Sequence, residues 1–166
     1  MDITALPGRR SETGPWLKNV LAAAGFAEAV VTRYRHWDVQ FEASADFEAA
    51  QLARQSPRLV IAKSLGTVIA ATAYCLDGFH PAAAVLIGVP FAGLAKRELD
   101  FLQQFSAAVE TLFIQQVADP GGAAAALGEA LRLQRGEVVA VPGDDHLYAD
   151  SAALGAIIRD WKGLHP

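Results

Sequence analysis

Short, solidly apolar runs alternate along this chain with longer stretches in which apolar residues return at helical spacing. That alternation is the pattern of a doubly wound parallel sheet. Strands covered on both faces are apolar throughout, whereas helices lying on the sheet are apolar on one side only. The runs at 2–6, 28–34, 58–63, 83–89, 111–117 and 136–141 read as strands, and the stretches 15–24, 46–55, 65–77, 96–105, 122–133 and 151–162 as helices between them. Ser11 or Thr13 can cap the first helix, Pro15 suits its opening turn and Gly25 ends it. The second begins at Asp46 and is expected to turn Phe47, Ala50 and Leu52 toward the sheet, while Asp150 or Ser151 can cap the last. The fold class is α/β, a three-layer sandwich of about six parallel strands with helices on both faces. No repeat, low-complexity tract or linker interrupts the pattern, so residues 1–166 are read as one domain.

One strand-to-helix junction carries chemistry. Leu59-Val60-Ile61-Ala62-Lys63 reads as a buried strand, Ser64 as the residue of a tight turn, and Leu65-Gly66-Thr67-Val68-Ile69-Ala70-Ala71 as the start of a helix of small residues. A serine on such a turn is aimed out of the sheet, the setting of a nucleophile elbow. A hydroxyl alone is a poor nucleophile and needs a histidine base held by a carboxylate. Asp119 follows the run that begins at Leu112, and His146 follows the run that begins at Val138, so each lies just past the carboxyl end of a strand. Asp145 is the weaker partner for His146, because adjacent residues on an extended backbone point apart. Asp144 and Asp145 are read instead as bonding backbone amides of their own loop. Lys63 is read as solvated or paired with a neighbouring carboxylate, with no chemical role. His36 and Trp37 end the second run near the crevice mouth. Trp37 reads either as a wall of the substrate pocket or as a core or edge aromatic, and Phe91, on a third loop, as an acyl-pocket wall. His80 and His165 read as surface residues.

With those residues in place the chain resembles the α/β-hydrolase superfamily, and within it the small cap-less serine hydrolases that include minimal bacterial lipases and short dienelactone-hydrolase-like proteins. The likeness runs over nearly the whole chain. It is carried most specifically by Ala62-Lys63-Ser64-Leu65-Gly66, Val117-Ala118-Asp119-Pro120 and Gly143-Asp144-Asp145-His146. Ala62 stands where the family pattern G-x-S-x-G has its first glycine; a small side chain suits the close crossing of strand and helix there. The resemblance implies a serine hydrolase that cleaves a small or short-chain carboxylic ester through an acyl-enzyme on Ser64, with His146 as base, Asp119 as its orienting acid and no cofactor. It also implies that residues 3–9 form the strand and loop of the oxyanion hole, with Gly8 turning the loop toward the crevice and the N–H groups of Leu65 and Arg9 as donors. The antiparallel strands that usually precede this strand in the superfamily are not expected. The segment 91–106, where relatives insert a lid, has room for one short helix, so the crevice is expected to be open. Two other readings stay open: a hydrolase-like binding or regulatory protein with negligible turnover, and an acyltransferase on the same scaffold.

Composition narrows the partners. Apolar residues make up 52% of 166 and charged residues 19%, which suffices for an ample core. The formal charge is −4 and the basic pairs are Arg9-Arg10 and Lys96-Arg97, so neither nucleic acid nor an anionic membrane surface is expected to attract the protein. A single cysteine, Cys75, makes no internal disulfide and reads as a small core residue. No signal-peptide pattern opens the chain and no apolar run reaches the roughly 18 residues of a membrane span, so the expectation is a cytoplasmic protein. Scattered histidines at 36, 80, 146 and 165, without HExxH or paired cysteines, point away from a metal. The lack of G-x-G-x-x-G and of a phosphate-loop lysine motif points away from dinucleotides. A small-molecule ester is the expected partner, and the edges of an open sheet leave room for a homodimer.

Overall fold

Among the residues that the computed structural model describes, 2–38 and 42–161, five of the apolar runs pair into one sheet of parallel strands. These are β1 (Ile3–Leu6), β2 (Leu59–Lys63), β3 (Ala83–Ile87), β4 (Glu110–Gln116) and β5 (Glu137–Val141), side by side in chain order. The helices are α1 (Thr13–Ala23), α2 (Ala45–Ala50), α3 (Leu65–Leu76), α4 (Lys96–Ala108), α5 (Ala124–Ala130) and α6 (Ser151–Asp160). Every residue of β2 and β3 is buried, as two-sided coverage requires. The pleat divides them between two cores. Val60 and Ala62 of β2 pack with Ile69, Ala70, Leu102 and Phe105 beneath α3 and α4, while Leu59 and Ile61 pack with Leu17, Leu21, Leu154 and Ile158 beneath α1 and α6.

The expected strand at 28–34 does not form. It touches β1 through one bridge, Ala5 to Val31, with the Thr32 N–H donating to Ala5 O at 2.9 Å. The alternation then breaks: Val30 is exposed, Tyr34 turns fully inward, and Arg35–Trp37 wind into a single tight turn. The Tyr34 hydroxyl donates to Pro7 O at 2.8 Å, and that inward anchor stops the ladder from propagating. Among the described residues the sheet therefore has five strands and not six.

Several helix details also differ from expectation. Glu12, without a side-chain cap bond, precedes α1, and Thr13 Oγ1 donates to Arg10 O at 2.5 Å. Ser44, not Asp46, caps α2 by accepting from the Phe47 N–H at 3.2 Å. The phase of α2 is rotated, so that Glu48 and Ala49 are buried while Phe47 and Ala50 are exposed, and Leu52 alone of the expected trio turns inward. Burial of Glu48 is compensated by the Arg35 N–H, which donates to its carboxylate at 2.9 Å. The expected helix 122–133 shortens at both ends, because Gly122 and Arg132 take positive φ of 136° and 50°. The last helix ends at Asp160, and residue 162 and His165 lie outside the described residues.

Candidate active site

In a parallel sheet all carboxyl ends open on one edge, so the loops after β2, β4 and β5 meet there. Ser64 stands between β2 and α3 at φ 49° and ψ −113°, a conformation that L-residues rarely adopt. The sharp turn lifts its half-buried side chain off the sheet. His146, on the loop after β5, also has a left-handed backbone, at φ 61°. Its Nε2 lies 2.9 Å from Ser64 Oγ, and its Nδ1 lies 2.8 and 2.9 Å from the two carboxylate oxygens of Asp119. The structure thus brings together three residues that stand 27 and 82 positions apart in the chain.

Asp119 is 4% exposed and its side chain is fully enclosed. A buried carboxylate needs donors, and two accompany the imidazole: the Gly121 N–H at 2.7 Å and the Tyr148 hydroxyl at 2.6 Å. Carboxylate oxygens only accept, so Nδ1 carries the ring proton and Nε2 presents its lone pair to Ser64. Burial and the bond to Asp119 push the Tyr148 phenol far above its ordinary range, which keeps it a donor. Its oxygen in turn accepts from the Gln116 N–H at 2.9 Å.

Asp145 turns away from the imidazole. Its Oδ1 accepts from the Leu147 N–H and from Gln116 Nε2, both at 2.9 Å, and these bonds hold its carboxyl below the usual carboxylate range. Gln116 also accepts the His146 N–H at 2.8 Å, so one amide side chain ties β4 to the loop that carries the histidine. Asp144 is exposed. Lys63 is neither solvated nor bound to a carboxylate: it is 3% exposed, and its Nζ donates to His146 O at 3.0 Å.

The segment Pro7–Arg9 runs against the start of α3. A Cβ on Gly66 would lie 2.8 Å from Pro7 O. As the first residue of α3, Leu65 has an N–H without an acceptor inside the helix. Gly8 is buried and Arg9 is exposed. Three aromatic side chains from the segment that failed to become a strand hold this loop by its carbonyls. Tyr34 bonds Pro7 O, while His36 Nε2 at 2.8 Å and Trp37 Nε1 at 2.9 Å both bond Arg9 O. Trp37 is half-buried, its ring 3.5 Å from where a Cβ on Gly14 would stand, so it braces the loop against α1. Phe91 is half-buried beside Gly122, where a Cβ would fall 2.4 Å from its ring, and so walls the turn that follows Asp119.

Sequence reasoning missed Lys63, Gln116, Tyr34 and Tyr148. Only Lys63 carried a signal, a lone charge at the end of an otherwise apolar strand. The 91–106 segment supplies a helix, α4, that buries Leu102 and Phe105 against the core and is a sheet cover, not a cap. His80 is exposed, edge-on to Tyr74. Two other surface grooves, one lined by Leu99, Gln103 and Arg132 and one by Glu137, Val139 and Trp161, contain no nucleophile beside a base. Among the described residues no cluster of three or more His, Cys, Asp or Glu could hold a metal ion, and no helix is long and apolar enough to cross a membrane.

No protein-family model matches the chain, and no curated protein matches it. Among solved structures it is similar to a protein of Xanthomonas campestris pv. campestris described as a proposed hydrolase of the alpha/beta superfamily. The superposition has a TM-score of 0.65 and covers 95% of this chain and 94% of that one, at 16% identity. The two chains share the α/β fold, a parallel sheet with helices on both faces.

Proposed function

We propose that this chain is a serine hydrolase that cleaves small or short-chain carboxylic esters through an acyl-enzyme on Ser64. The observation that carries the reading is the continuous hydrogen-bond line from Ser64 Oγ through His146 to buried Asp119. With Nδ1–H held by Asp119, His146 Nε2 takes the Ser64 proton as Oγ bonds to the acyl carbon. The carbonyl π pair moves onto oxygen, where the N–H groups of Leu65 and Arg9 donate to it. Collapse breaks the bond to the alcohol, which leaves with the proton from Nε2. Water then gives a proton to the same nitrogen, attacks the acyl carbon and releases the acid, and Ser64 regains its proton. The half-exposed Ser64, with α4 packed on the sheet, suits small esters that need no deep tunnel. The description of the Xanthomonas protein as a proposed hydrolase supports the hydrolase part of this reading in general.

Labelling with a fluorophosphonate probe tests it. The probe is expected to modify Ser64 and no other serine, and Ser64→Ala to lose labelling and to lower p-nitrophenyl acetate hydrolysis by about a thousandfold or more. Undiminished hydrolysis in Ser64→Ala would overturn the reading.

A further inference from the structure

Lys63 is the residue immediately before Ser64, and burial of an ammonium there calls for a compensating role. Two interactions of its Nζ go to the loop that carries the base. It donates to His146 O at 3.0 Å, and it stands 4.5 Å from the centre of the Tyr148 ring as a cation over a π face. The two loop residues it touches both have left-handed backbones, His146 at φ 61° and Tyr148 at φ 59°. Such conformations persist only where surrounding contacts over-determine them. The three side chains converge over Gly88, where a Cβ would fall 2.9 Å from Lys63 Nζ, 2.8 Å from the Tyr148 ring and 3.1 Å from His146 Cε1. Tyr148 passes the constraint on, because its hydroxyl holds Asp119.

We propose that Lys63 is a positioning residue, whose ammonium fastens the loop carrying His146 to the strand carrying Ser64 and so sets the base against the nucleophile. This rests on the reading of Ser64 and His146 as nucleophile and base. Charge matters to the fastening: a charge-assisted bond is roughly twice as strong as a neutral one, and the contact over Tyr148 requires a cation. Burial pulls Lys63 down to about 8 against the opposing attraction of Asp119, after β4, and Asp145, after β5. The titratable side chain in contact with it is Tyr148; from His146 it meets the backbone carbonyl, and α1 adds the Trp16 indole, which donates to Tyr148 O. The ammonium is therefore lost at mildly alkaline pH while the phenol of Tyr148 keeps its proton. Alignment, and with it the reactivity of Ser64, weakens over that range.

The experiment is the rate of fluorophosphonate labelling of Ser64 between about pH 6 and 10, for the wild-type chain, Lys63→Met and Lys63→Arg. The wild-type rate is expected to fall on the alkaline side with a midpoint near 8. Lys63→Arg, which keeps its charge, is expected to hold its plateau beyond about pH 9. Lys63→Met is expected to be about tenfold slower at neutral pH with no alkaline fall, and a KM for p-nitrophenyl acetate within about threefold of wild type. A Lys63→Met rate equal to wild type, or the same alkaline fall in Lys63→Arg, overturns the proposal. If Lys63→Met does not fold, the wild-type and Lys63→Arg profiles decide alone. Absence of label at Ser64 in the wild-type chain instead overturns the hydrolase reading, so the two failures are distinguishable.

Discussion

Gly66 lies so close to Leu6 that a Cβ on it would stand 2.3 Å from the Leu6 carbonyl oxygen. The obstacle is backbone, which cannot swing aside. Gly66→Ala must therefore push β1 and α3 apart, and with them the Pro7–Arg9 loop and the Leu65 N–H. We expect Gly66→Ala to lose roughly 1–3 kcal/mol in urea unfolding and to slow Ser64 labelling in parallel. Wild-type stability and rate in this variant would show that the crossing has slack.

The two aspartates near the imidazole have separate tasks. Asp119 holds Nδ1 in a fully enclosed position, whereas Asp145 bonds Gln116 and a backbone N–H. Asp119→Asn keeps the shape but offers the ring an amide, and turnover is expected to fall by about a hundredfold to ten-thousandfold. Asp145→Asn is expected to cost far less, and chiefly in loop stability, because its Oδ1 can still accept both bonds. The reverse order of losses in kcat would reassign the acid.

Trp37 acts on the loop of the proposed oxyanion donor. Its indole is one of two donors to Arg9 O. Trp37→Phe removes that bond and keeps a ring against α1, and kcat is expected to fall by about threefold to tenfold with KM little changed. A rise in KM at constant kcat would mean that the ring touches substrate instead.

Lys63 links stability to pH with a sign opposite to its effect on rate. A free lysine side chain keeps its proton to about 10.4, whereas folding pulls Lys63 down to about 8. Below about pH 8 both states hold the proton and the folded state carries the full cost of burying it. Between about 8 and 10.4 the unfolded chain binds more protons, so stability rises with pH. Relative to Lys63→Met, the wild-type chain is expected to gain about 2 kcal/mol in urea unfolding between about pH 7.5 and 9.5. Burial raises Cys75, Tyr34 and Tyr148, and these act in the opposite direction but equally in both proteins. Parallel pH slopes for the two proteins would show that the Lys63 ammonium is not destabilised by burial. A labelling rate that falls while stability climbs would separate misalignment from unfolding.

The order Ser64, Asp119, His146 and the place of each past a strand end were legible in the chain itself. Solid apolar runs alternating with amphipathic stretches compel parallel strands with crossover helices, and parallel strands open all their carboxyl ends on one edge. Five of the six runs became strands for that reason. What tertiary structure alone decided is how the site is held. The run at 28–34 has strand composition, yet Tyr34, His36 and Trp37 found carbonyl partners on Pro7 and Arg9 and bent the segment away from a ladder. The phase of α2 followed Glu48, whose carboxylate met a backbone N–H 13 residues earlier in the chain. Lys63 and Tyr148 reach His146 and Asp119 only because His146 and Tyr148 adopt left-handed backbones. Periodicity reports which residues face a core; it is blind to contacts between side chains and distant carbonyls, whose geometry exists only after the strands are in register.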